Sequence, residues 1–117
     1  MQYAENRSDI TQFELGQMFR KAPHQERDYE QAANWYRRAA KKGNVKAQYL
    51  LGLMYTRGLG VNVNYLKAYA WLKLAAAQGS RKAFHILQKI ASKIPPERQQ
   101  KARDLSRVYY AKYATRF

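Results

Sequence analysis

The side chains of this 117-residue chain that could move protons are two histidines, His24 and His85, and eight carboxylates. General acid–base work needs such groups held within hydrogen-bond reach of one another. The carboxylates are Glu5, Asp9, Glu14, Glu26, Asp28, Glu30, Glu97 and Asp104, and most read as capping or exposed positions near the start of the chain. Neither histidine has a sequence-linked carboxylate partner. With no cysteine and two distant histidines, no spacing suggests a closed zinc site. Gly58-Leu59-Gly60 follows a helical pattern rather than a strand and lacks the Lys-Ser/Thr ending of a phosphate loop, so it reads as a turn. No catalysis, cofactor or metal is expected.

The remaining chemistry is that of charge. The net charge is +14, and no acidic residue stands between Glu30 and Glu97. Residues 80–117 carry 10 basic and 2 acidic side chains, so basicity grows toward the C-terminus. A positive field without internal counter-charge implies an anionic partner. The apolar fraction of 46% suits one folded domain of this length. Abundant Ala, Leu, Lys, Arg and Gln, with only three prolines, favour helix over strand.

What would position these charges is a repeat. Shifting the sequence by 36 residues aligns Thr11 to Gly43 with Ala47 to Gly79 without a gap, and 10 of the 33 positions are identical. A period of this size signals a stacked array. In the second unit Ala47, Leu51, Met54 and Tyr55 fall at helical spacing, as do Ala68, Trp71, Leu72 and Ala75, predicting two helices per unit. Asn44, Asn64 and Ser80 stand at N-cap positions, Asp28 with Gln31 forms a capping box, and Gly43 and Gly79 close the second helices. Gly16 and Gly52 lie inside helices, where glycine is costly unless helices approach closely. Trp35 and Trp71 are expected to fill the space between helices. After Ser80 the unit diverges: Ile94-Pro95-Pro96 replaces the glycine loop, and a long last helix begins near Pro96 as a terminal cap.

The pattern Ala-x-x-x-Leu-Gly-x-x-Tyr-x-x-Gly-x-Gly-Val from Ala47 to Val61, followed by Lys67-Ala68-x-x-Trp71-x-x-x-Ala75-Ala76-x-x-Gly79, resembles the Sel1-like repeat family. The first unit keeps Leu15-Gly16, Phe19, Ala32, Trp35, Ala39-Ala40 and Gly43 but carries Ala22-Pro23-His24 in place of the glycine loop. The resemblance implies an all-α, right-handed superhelix similar to tetratricopeptide arrays, of about six helices: two repeats plus a divergent C-terminal capping helix pair. It also implies an adaptor role between proteins. As one domain over 1–117, the chain divides into a flexible tail at 1–7, a repeat at about 8–43, a second at 44–79 and the divergent repeat and cap at 80–117.

In such arrays the first helix of each unit lines the concave surface. If Ala47, Leu51, Gly52 and Tyr55 pack inside, the free faces of the first helices carry a central file of Phe13, Tyr49 and His85. Leu53 joins them, flanked by Arg20, Lys21, Lys46, Arg57, Lys82, Lys89 and Lys93. This groove is expected to bind an acidic peptide or the acidic face of a partner protein. Two alternatives stand beside it. A basic, aromatic surface also suits nucleic acid, although no nucleic-acid motif accompanies it. In the last helix Tyr110, Lys112, Tyr113, Arg116 and Phe117 form a second contact surface, through which the chain would self-associate as a homodimer; Val108, Tyr109, Tyr113 and Phe117 would alternatively cover the open end of the array. No stretch long and apolar enough for an export signal or a membrane span is present, so a cytoplasmic location is expected by default, or a periplasmic one if a signal peptide had been removed.

Overall fold

The computed structural model describes residues 9–23 and 28–114. Among them are six α-helices and no strand: α1 (Asp9–Lys21), α2 (Tyr29–Lys41), α3 (Val45–Arg57), α4 (Tyr65–Ala77), α5 (Arg81–Ser92) and α6 (Gln99–Tyr113), the last entered through a 3₁₀ turn at Pro96–Arg98. The expected tail at 1–7 lies outside the described residues.

Local chemistry sets the helix starts. Asp28 accepts a hydrogen bond from the Gln31 N–H at 3.0 Å, Asn44 from Ala47 at 2.9 Å, Asn64 from Lys67 at 3.0 Å and Ser80 from Ala83 at 3.2 Å. Each such cap stabilises its helix by about 1 kcal/mol. The helix pair of each repeat carries the same tie: the Asp28 N–H donates to the Phe19 carbonyl at 3.2 Å, and the Asn64 N–H to the Tyr55 carbonyl at 3.0 Å. The second loop also leans on the first unit. A Cβ at Gly60, whose φ is +71°, would lie 2.2 Å from the Tyr29 carbonyl oxygen, so only glycine fits there.

Successive helices pack as a zigzag, α1 on α2, α2 on α3, α3 on α4 and α4 on α5, which makes a solenoid-like array. Alanines 32, 39, 40, 47, 68, 75 and 83 are fully buried and let the helix axes approach. Tyr36, Leu51, Leu72, Leu74 and Ile90 fill the space between them. Gly16 and Gly52 provide the close approaches: a Cβ on Gly16 would stand 2.6 Å from the Tyr36 ring, and one on Gly52 2.7 Å from Leu72 Cγ.

The last helix departs from the repeat. Instead of pairing with α5 as α2 pairs with α1, α6 packs along α4 and reaches α2. Its Tyr109 and Tyr113 rings close over Trp71, with centroids 4.6 and 5.4 Å away. Burial pushes the Tyr109 hydroxyl up to about 12, with the neighbouring Tyr55 and Tyr113 adding to the shift and Arg37 opposing it. Gln48, fully buried, ties this corner together: its Nε2 donates to the Ala40 carbonyl at 3.0 Å and the Tyr113 carbonyl at 3.1 Å, and its Oε1 accepts from Gln78 at 2.7 Å. Phe84 stands in the register of Gln48 but is 54% exposed, since α6 lies along α4 instead of over α5. Trp35 is buried, with the Arg38 guanidinium 4.8 Å above its ring. No helix among the described residues is long and apolar enough to cross a membrane.

Candidate partner-binding groove

The first helices α1 and α3 sit side by side with the start of α5, and two adjoining depressions run over them. The larger, about 650 Å³, is lined by Phe13, Gln17, Arg20 and Lys21 from α1, Val45, Lys46, Tyr49 and Leu50 from α3, and the segment Gln78 to Lys82. The smaller, about 390 Å³, continues over Arg20, Lys21, Leu50, Leu53, Met54 and Arg57 to Tyr29 and Leu59. Arg20, Lys21 and Leu50 belong to both, so the two form one surface. Its polar rim carries Arg20, Lys21, Lys46, Arg57, Arg81 and Lys82, and no carboxylate lines either part.

Helix periodicity explains the arrangement. On α3, Ala47, Leu51 and Met54 turn into the core, which leaves Lys46, Tyr49, Leu50, Leu53 and Arg57 on the opposite face. On α1, one repeat earlier, the same face presents Phe13, Gln17, Arg20 and Lys21. Half-buried Tyr49, Leu50 and Leu53 give the floor an apolar character beneath the cationic rim.

Of the residues the sequence placed in a groove, Phe13, Arg20, Lys21, Lys46, Tyr49, Leu53, Arg57 and Lys82 come together here. His85, Lys89 and Lys93 do not line either depression. His85 is exposed beside Phe84, with ring centroids 6.1 Å apart, and Lys89 is exposed on the same helix. Lys93 lies 5.8 Å from the Tyr65 ring centroid, in a separate depression shared with Arg98. Of α5 only the first turn, at Arg81 and Lys82, reaches the groove. Sequence spacing alone missed Arg81, which follows the Ser80 cap, and the aliphatic floor at Leu50, which the repeat pattern treats as filler. In the last helix Tyr110 and Lys112 are exposed, whereas Tyr113 is partly buried against Trp71 and is not a free surface residue. Tyr109 shares that cover, but Val108 is 45% exposed and takes no part in it. Arg116, Phe117 and His24 lie outside the described residues.

Behind the groove a polar cluster holds Arg20. Its Nε donates to Tyr36 Oη at 2.9 Å and to Gln17 Oε1 at 3.2 Å, and its Nη2 donates to Gln17 Oε1 at 2.9 Å. The Tyr36 hydroxyl in turn donates to Gln17 Oε1. Burial raises the Tyr36 hydroxyl above the ordinary tyrosine value, partly offset by the hydrogen bond and charge of Arg20. Among the described residues no three His, Asp or Glu side chains converge as a metal site.

Comparison with known proteins bears on what such a surface serves. The Sel1 repeat family model matches residues 10–44 and 45–80. A solved structure of a protective antigen present in uropathogenic Escherichia coli strains, displaying an SLR fold, is 33% identical, with a TM-score of 0.85 over 92% of this chain and 23% of that one. A Sel1 repeat protein from Oxalobacter formigenes is 38% identical, with a TM-score of 0.67 over 70% of this chain and 24% of that one. The chain thus spans about a quarter of the length of either. No curated protein matches it.

Proposed function

The chain belongs to the Sel1 repeat family, and from that premise we propose that it is an adaptor whose concave groove binds an acidic segment of a partner protein. Sel1 repeats are generally protein–protein interaction modules, and their helical scaffold is generally non-enzymatic. The observation that carries the finer reading is the composition of the groove wall: six cationic side chains, an aromatic and aliphatic floor, and no carboxylate. Aromatic floors supply contact area at low entropic cost, and cationic rims favour carboxylates and repel basic competitors.

The test is fluorescence anisotropy of a labelled acidic peptide, with mixed-sequence DNA as competitor, across a salt series. Lys46→Glu with Arg57→Glu should weaken peptide binding at least tenfold, because each reversal places a like charge against the ligand. Lys89→Glu with Lys93→Glu makes the same double charge reversal outside the groove and should leave binding nearly intact. Equal loss from both variants would show that net charge, not the groove, drives binding. DNA that displaces the peptide at physiological salt would favour a nucleic-acid module instead.

A further inference from the structure

In repeats that share their core positions, places where the two units differ together mark what one unit does and the other does not. Three positions of the first unit do so as a connected set. Gln17, Arg20 and Tyr36 correspond, 36 residues on, to Leu53, Thr56 and Leu72. In the first unit the three side chains are joined by hydrogen bonds. In the second, Leu72 is a buried core side chain and Thr56 bonds back to the Gly52 carbonyl at 2.9 Å. The groove therefore contains one such device.

The geometry of the device is particular. Tyr36 is fully buried, and Gly16 lets its ring lie flush against α1, which brings the hydroxyl to Gln17 and Arg20 at the groove wall. Gln17 Oε1 occupies the edge of the guanidinium formed by Nε and Nη2. The other edge, formed by Nη1 and Nη2, meets no second acceptor among the described residues, and no carboxylate lines the groove around it. Arg20 is half-buried and sits where the two depressions meet. A guanidinium held by neutral acceptors on one edge, with its second edge open in a carboxylate-free groove, is preorganised for a bidentate anion.

We propose that Arg20, oriented by Gln17 and Tyr36, is the specificity element of the groove: a fork that takes one carboxylate of the bound peptide, while the surrounding lysines act as diffuse charge. The proposal rests on the groove reading above. Arg20 is a binding residue, and Tyr36 is a positioning residue that acts through it.

The experiment measures the affinity of a fluorescein-labelled decaglutamate peptide, with free or amidated C-terminus, at physiological ionic strength. Arg20→Lys keeps the charge and removes the fork, and should cost roughly tenfold in affinity. Lys89→Arg, which adds a fork outside the groove, should leave affinity within about twofold of wild type. Tyr36→Phe keeps the buried ring and removes the hydroxyl; it should weaken binding several-fold in the wild-type background and have no further effect when combined with Arg20→Lys. A loss from Arg20→Lys confined to the free C-terminus would assign the fork to a terminal carboxylate, and a loss with both peptides to a side-chain carboxylate. Full affinity of Arg20→Lys, with binding still broken by Lys46→Glu and Arg57→Glu, would overturn the fork and leave the groove standing. Failure of the wild-type protein to bind either peptide would overturn both.

Discussion

Gly16→Ala is the sharpest perturbation of the packing that supports the groove. Two effects of opposite sign meet at this position. Replacing a mid-helix glycine by alanine favours the helix by about 1 kcal/mol. Against that, the new Cβ would stand 2.6 Å from both Tyr36 Cδ1 and Cε1 and 3.2 Å from Cγ, where ordinary contacts begin near 3.4 Å. The ring cannot step aside by changing rotamer, since Tyr36 is fully buried and its hydroxyl is tied to Gln17 and Arg20. Relief requires α1 and α2 to separate by a sizeable fraction of an ångström. Overpacking of this kind costs about 1–3 kcal/mol, and a rigid aromatic neighbour places it at the upper end. The net expectation is destabilisation by about 2 kcal/mol. For a domain of this size that is a fall of about 8 °C in Tm, followed by far-ultraviolet circular dichroism. A Gly16→Ala protein melting at or above the wild-type temperature would refute the close-approach argument, because helix propensity would then be the larger effect.

Three further outcomes follow from other contacts. Gly60→Ala should lower stability by about 2–4 kcal/mol in urea titrations, since the added Cβ meets the Tyr29 backbone and φ is +71°. Gln48→Ala should cost about 2–4 kcal/mol in the same titrations, because it removes three hydrogen bonds of a buried amide at once, those given to the Ala40 and Tyr113 carbonyls and the one accepted from Gln78. Alkali should destabilise the fold through Tyr109: its folded-state value, raised to about 12, exceeds the ordinary 10.0, so this contribution is complete below pH 10 and is lost as pH rises from 10 through 12. Tyr109→Phe should flatten the stability profile in that window, read by circular dichroism with tyrosinate absorbance alongside; an unchanged profile would assign the alkaline transition to other groups.

What could be read from the sequence was whatever depends on neighbours in the chain. Asn44, Asn64, Ser80 and Asp28 cap as expected because the cap partner is always three residues on. The glycines at 16 and 52 announced close helix contacts, since nothing else repays glycine inside a helix. Groove residues on α1 and α3 followed from a single period. On α5 the same period brought only Lys82 to the lining, while His85, Lys89 and Lys93 stand further along the chain, outside both depressions. The seat of α6 was also hidden, because it depends on Tyr109 and Tyr113 meeting Trp71 on another helix. Tyr36 escaped notice for a related reason: only its ring depth beside Gly16 brings its hydroxyl to Arg20.

The departure of the last helix bears on the groove more than its distance suggests. By packing along α4 and toward α2, α6 uses its aromatic residues on the second-helix side of the array, over Trp71. It contributes nothing to the lining of either depression, which is drawn from α1, α3, the start of α5 and the loops beside them. Apolar closure and the cationic groove thereby lie in different layers. Substitutions that weaken the Tyr109 and Tyr113 cover should lower stability without changing the proposed binding of an acidic peptide, whereas changes at Gly16 or Tyr36 should move both together. That asymmetry follows from where Tyr36 sits: its ring is fully buried while its hydroxyl reaches Gln17 and Arg20 at the groove wall, so on the proposed reading it would serve both core packing and recognition, whereas the corresponding Leu72 serves packing.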